Sequence, residues 1–116
     1  MRGEPIKGHL DTLLLAIVAD GPVHGYGIVE QLRERSGGQF ELPEGTIYPA
    51  LHRLEGDGLL RSEWAVVGGR RRRQYELTDR GGAALGERSH EWRRFAGAVE
   101  RVLATTTTLT PKGGTA

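Results

Sequence analysis

The sequence predicts a mainly α fold with one small β-hairpin, and three features carry that reading. Apolar residues recur at helical spacing in four stretches, the period switches to alternation around Trp64, and glycine or proline punctuates the junctions. At 116 residues the chain has room for one domain with a modest core and an appendage. Its hydrophobic fraction of 37% is low for a globular domain, so part of the apolar burial is expected to come from a partner subunit.

Leu10, Leu13, Leu14, Ile17 and Val18 define a first helix, and Asp20-Gly21-Pro22 stops it because proline disfavours helix in the residue before it. A second helix is expected from about Gly25 to Arg35, with Ile28, Val29 and Leu32 as its apolar stripe and Ser36-Gly37-Gly38 as its end. Gly25 and Gly27 weaken its first turn; they read either as room for another backbone or as a plain loop-to-helix transition. After a connector from Gln39 to Glu44, a third helix carries Ile47, Ala50, Leu51 and Leu54 on one face and closes at Gly56-Asp57-Gly58. Pro49 has no amide proton and is expected in the opening turn, which sets the start near Gly45 or Thr46, with Thr46 as the cap.

From Leu59 to Val67 the period becomes two, with Leu60, Trp64 and Val66 opposing Arg61 and Glu63, as in a strand. Gly68-Gly69 supplies a turn, and Tyr75 and Leu77 alternate with Gln74 and Glu76 on the way back. The resulting hairpin has Arg70 to Arg73 at its tip and must lean on the helices, since two strands alone are marginally stable. The last helix is expected to begin at Thr78, a good cap, and to reach about Ala104. Read in sevens, it sets Leu85, Trp92 and Val99 at one position and Phe95 and Val102 at a second, with Ala96 and Leu103 alongside; Arg88 interrupts the second series. So long a helix cannot bury that seam within its own chain, so the seam is expected to be a homodimer interface, although the part near Leu85 also suits packing on the first helix. The expected organisation is a core of residues 1–78, a dimerisation helix over 79–104, and a threonine- and glycine-rich disordered tail over 105–116.

Three short helices followed by a β-hairpin form the element order of a winged helix-turn-helix, in which the third helix enters the major groove of double-stranded DNA and the hairpin touches the flanking backbone. Thr46, Tyr48, His52 and Arg53 point away from the apolar stripe, and each can donate to a phosphate or a base edge. Arg53 has the fork needed for guanine N7 and O6, while Thr46 and Tyr48 lie near a helix N-terminus that favours phosphate. The same segment holds Glu44, Glu55 and Asp57. The last two sit at the far end, where distance and screening weaken their repulsion; Glu44 does not.

The net charge of +1 conceals a local excess: Arg61, Arg70, Arg71, Arg72, Arg73 and Arg80 outnumber Glu63, Glu76 and Asp79. Guanidinium groups pair well with phosphate oxygens, so the wing arginines are expected to supply affinity and the third helix specificity. Paired copies crossing at Trp92 and Phe95 without closing would also leave a slot for a small aromatic effector. A winged fold used only as a protein docking module is the alternative. Absent cysteine excludes disulfides and thiolate chemistry, and no apolar run approaches a membrane span or a secretory signal, so a cytoplasmic protein is expected. His9, His24, His52 and His90 are scattered without metal-ligand spacing, and no hydrolase or P-loop motif occurs. Neither catalysis nor a cofactor is expected.

The stretches LDTLLLAIVADGPVHGYGIVEQL, PEGTIYPALHRLEGDGLL and RRRQYELTDRG resemble PadR-family transcriptional regulators, the likeness running from about Leu10 to Leu103. The resemblance implies that Thr46, Tyr48, Pro49, His52 and Arg53 lie on the DNA-reading helix, that Tyr26 is the family tyrosine of the second helix, and that Tyr75 belongs to the wing. It further implies dimers joined through the C-terminal helix, repression at dyad-symmetric operators, and release by small molecules in many members. The single C-terminal helix is that of the family's short branch. The run of four arginines, and Gln74 where an aromatic is frequent, depart from the common pattern.

Overall fold

The computed structural model describes residues 8–105; residues 1–7 and all of the expected tail after Thr105 lie outside them. In chain order the elements are α1 (Leu10–Val18), β1 (Val23–His24), α2 (Gly25–Arg35), α3 (Glu44–Gly56), β2 (Leu60–Val67), β3 (Arg70–Leu77) and α4 (Asp79–Ala104). The fold is the mainly α one expected, with a correction to the sheet. It has three antiparallel strands in the order β1-β3-β2, because Val23 and His24 pair with Tyr75 and Gln74. Two residues are too few for alternation to announce a strand. That short pairing joins the turn after α1 to the stem of the hairpin.

One cluster fills the core: Leu14, Leu15, Ile17 and Val18 of α1, Ile28 and Leu32 of α2, Ile47, Ala50, Leu51 and Leu54 of α3, with Leu42, Leu59, Leu60 and Tyr75. Leu15 is fully buried although it stands outside the expected stripe, since α1 is covered on more than one side. The chain divides between Gly86 and Glu87 into two compact units. Ala84 and Leu85, in the first turns of α4, pack against the core of the first unit.

The turn chemistry explains the junctions. At the end of α3 the Gly58 amide donates to Glu55 O (3.0 Å) and the Leu59 amide to Leu54 O (3.0 Å), with Gly58 at φ +79°. This paired closure satisfies carbonyls that the helix leaves open. Gly68 and Gly69 lie at φ +61° and +79°, the pair of left-handed residues that a two-residue hairpin turn requires, and Val67 faces Arg70 across it. Thr78 caps α4 as expected: its Oγ1 accepts from the Gly81 amide (3.0 Å) and donates to Gly58 O (2.7 Å).

The start of α3 needs correction. The helix begins at Glu44, with Pro43 at the cap position, and Thr46 is no cap. The amides of Thr46 and Ile47 both donate to Pro43 O, at 3.0 and 3.2 Å. Pro49 therefore lies inside the helix, beyond its opening turn, where the hydrogen bond it cannot make would have gone to Gly45 O.

Candidate nucleic-acid interface

α3 turns Thr46, Pro49, His52 and Arg53 outward and Ile47, Ala50, Leu51 and Leu54 inward, so the 3.6-residue period alone divides a polar from a buried face. Tyr48 sits between the two, half-buried. A Cβ on Gly25 would come within 2.9 Å of the Tyr48 ring, and one on Gly27 within 2.9 Å of the Val23 side chain. Both glycines thus make room for side chains, and neither is there to admit another backbone. Burial, and then the Glu44 carboxylate beside it, push the Tyr48 hydroxyl above its ordinary pKa of 10.0, while Arg72 pulls weakly the other way. At neutral pH Tyr48 is thus a hydrogen-bond donor. Glu44, a liability in the sequence, lies in the first turn of α3, where it favours the helix dipole.

Arg53 is placed differently from the sequence expectation. Its guanidinium grips Asp11 of α1 with both arms, Nη1 to Oδ2 at 2.6 Å and Nη2 to Oδ1 at 3.2 Å. The hydrogen bond to Asp11, followed by its charge, raises the Arg53 pKa. With two of its five donors on Asp11, Arg53 binds α3 to α1 in this conformation, and its exposed side chain keeps Nε and the outer amino hydrogens for a phosphate or a base edge. Being about half exposed, the pair contributes on the order of 0.5 to 1 kcal/mol.

The wing is also rearranged relative to expectation. β3 begins at Arg70, so the four arginines are strand residues and only Gly68-Gly69 form the tip. Their side chains must alternate. Cross-strand pairs put Arg71 and Arg73 on the face of Trp64 and Val66, and Arg70 and Arg72 on the face of Ala65 and Val67. Trp64 and Val66 are exposed, since this part of the hairpin extends past the core and only Leu60 of the apolar series is buried. Arg71 Cζ lies 4.7 Å and Arg73 Cζ 5.4 Å from the centre of the Trp64 ring.

A polar chain that the sequence did not announce links the wing to α3. Arg73 Nε donates to Ser62 Oγ (2.9 Å), Ser62 Oγ donates to Glu55 Oε2 (2.7 Å), and Arg73 Nη2 lies 3.9 Å from the same oxygen. Glu55 is thereby compensated by a specific cation, in addition to any effect of distance. Beneath this chain Tyr75 is buried, and burial, with Glu55 adding to it against Arg73, raises its pKa. Tyr26, on α2, is 45% exposed.

In the second compact unit, Trp92, Phe95, Val99, Val102 and Leu103 are exposed along α4, with Ala96 partly covered. The Trp92 and Phe95 rings are 6.0 Å apart, tilted by 44°. Among the described residues there is no group of three or more residues able to hold a metal ion, and no helix long and apolar enough to cross a membrane.

Three helices, a small sheet with a long hairpin, and a polar third-helix face near an arginine-bearing strand define a winged helix-turn-helix transcriptional regulator. The family model described as "Transcriptional regulator PadR-like family" matches residues 14–87, and the chain belongs to that family. It is 50% identical over 74 residues to a transcriptional regulator of Mycobacterium tuberculosis, across 64% of this chain and 66% of that one. Among solved structures, it is similar to a PadR family transcription regulator from Clostridium difficile, with TM-score 0.75 and 36% identity over 83% of this chain and 99% of the other. A PadR-like regulator from Bacillus cereus aligns with TM-score 0.79 and 27% identity, over 87% and 97% of the two chains. Membership implies regulation through DNA binding.

Proposed function

We propose that the protein is a repressor that binds a dyad-symmetric operator as a homodimer in the cytoplasm. The observation that carries this reading is the exposed apolar ridge of α4, from Trp92 to Leu103, on a chain whose other unit presents an outward polar face on α3 and an arginine-bearing wing. The ridge supports pairing with a second copy, because apolar side chains in water gain about 25 cal/mol for each Å² they bury. Leu85 packs on its own core, so the ridge available for pairing begins at Trp92. In the dimer, Thr46, Tyr48, Pro49 and His52 read base edges, Tyr26 flanks them, and the wing strand that carries Arg70 to Arg73 lies along the backbone. Arg53 positions α3 through Asp11 in the free protein. Trp92 and Phe95, aromatic and exposed, are the residues assigned to a small aromatic effector.

Two measurements test this reading together. Sedimentation velocity should give a dimer, and selection of bound genomic fragments should return an inverted repeat whose half-sites lie about one helical turn apart. Mobility shifts on that site should weaken steeply with salt. A monomer that retains no duplex at low ionic strength overturns the proposal and favours a docking module.

A smaller change tests Tyr48. Gly25→Ala puts a methyl group against the outer end of the half-buried Tyr48 ring, at Cε1 and Cζ, so the ring must shift while the melting temperature should fall only slightly. Affinity for the selected site should fall on the order of tenfold, which is what one good hydrogen bond to a base edge is worth. Unchanged affinity would remove Tyr48 from the reading face.

A further inference from the structure

We propose that Trp64 sorts the four wing arginines into two pairs with separate tasks: Arg71 and Arg73 stack on the indole, from which Arg73 ties the wing to α3, and Arg70 and Arg72 bind phosphate. This rests on the DNA-binding reading and makes it residue-specific. Four successive arginines look interchangeable in a sequence; strand alternation makes them unequal. The register places Arg73 directly across from Trp64 and Arg71 across from Val66, on one face of the hairpin. Both guanidinium groups lie within 5.4 Å of the indole centre. The negative face of the ring gives each a partner and offsets their mutual repulsion.

Arg73 does more than stack. Its Nε donates to Ser62 Oγ, and that hydroxyl donates to Glu55 near the end of α3, so indole, guanidinium, hydroxyl and carboxylate form one connected path from wing to helix. Arg73 also lies 3.9 Å from the carboxylate that would otherwise repel phosphate. On the opposite face, paired with Val67 and Ala65, no ion pair engages Arg70 or Arg72 among the described residues. Arg70 is exposed and Arg72 half-buried, and with no carboxylate among those residues engaging either, both charges remain available to a polyanion. Trp64 is thus a positioning residue, exposed because its partners are guanidinium planes instead of the core.

The test compares charge-matched variants on the same operator across a salt series. R70A/R72A should flatten the dependence of log affinity on log salt by about 0.9 for each phosphate no longer neutralised, roughly 2 per wing. R71A/R73A removes the same charge but should leave the slope close to that of the parent, while affinity falls at every salt concentration. Trp64→Leu should behave like R71A/R73A, with a loss of about three- to tenfold from freeing ordered side chains. Trp64→Phe keeps an aromatic face and should restore most of the binding. Equal flattening by the two arginine pairs overturns the sorting while leaving the DNA-binding reading intact. Trp64→Phe failing as badly as Trp64→Leu also overturns it, since the indole would then act on DNA itself. A parent protein that binds no duplex overturns both.

Discussion

Trp92→Asp should convert the protein to a monomer and abolish tight operator binding. Trp92 is half exposed in a single chain and, in the proposed dimer, becomes covered by its counterpart helix. A carboxylate there loses solvation without gaining a compensating charge, at a cost of roughly 2 to 3 kcal/mol per copy even after it relaxes toward water. Two copies meet in each dimer, so the dissociation constant should rise at least about a thousandfold. Sedimentation at micromolar concentration reads this directly. The core of the first unit does not include Trp92, so the thermal transition of that unit should persist, which separates lost pairing from lost folding. Trp92→Leu keeps the apolar ridge and should remain dimeric. A dimeric Trp92→Asp protein would mean that the ridge of α4 is not the interface.

The second large effect concerns Gly81, the only buried residue of α4. The constraint is space: a Cβ at Gly81 would clash with the Leu59 carbonyl oxygen and come within 2.8 Å of Leu77 Cδ1. That carbonyl cannot retreat freely, because it accepts the Thr78 amide at 3.2 Å, and Thr78 in turn caps α4 through the Gly81 amide. Gly81→Ala should therefore cost about 3 kcal/mol, the upper range for overpacking, despite alanine's better helix propensity. For a unit of this size the melting temperature should drop by roughly 12 °C or more. Gly86→Ala is the matched control. It lies in the same helix with nothing within 4 Å of an added Cβ, and should stabilise by about 0.5 to 1 kcal/mol. Calorimetry showing equal effects of the two changes would mean that the α4–Leu59 junction is soft.

The outward face of α3 was legible in the sequence because helical periodicity is local: once Ile47, Ala50, Leu51 and Leu54 are inward, Thr46, His52 and Arg53 must be outward. What each of these can reach was not legible. Arg53 meets Asp11 across 42 residues of chain, and no spacing rule connects them. The same holds for Gly25, whose missing side chain is explained by a ring on another helix. The start of α3 was misplaced for a different reason. Thr46 is a good cap residue by type, but the carbonyl of Pro43 already takes the amides that a cap would serve.

The existence of the four helices, the Thr78 cap, the Gly68-Gly69 turn and the family were all written locally, since each depends on residues near one another in the chain: a period, a cap, a turn conformation, a short motif. Tertiary structure alone decided which cations are engaged, where Val23 and His24 pair, and how the arginine run divides between two faces. Those outcomes depend on strand register and on side chains meeting across long loops. Such meetings are fixed by how the core packs and leave no periodic trace in the sequence.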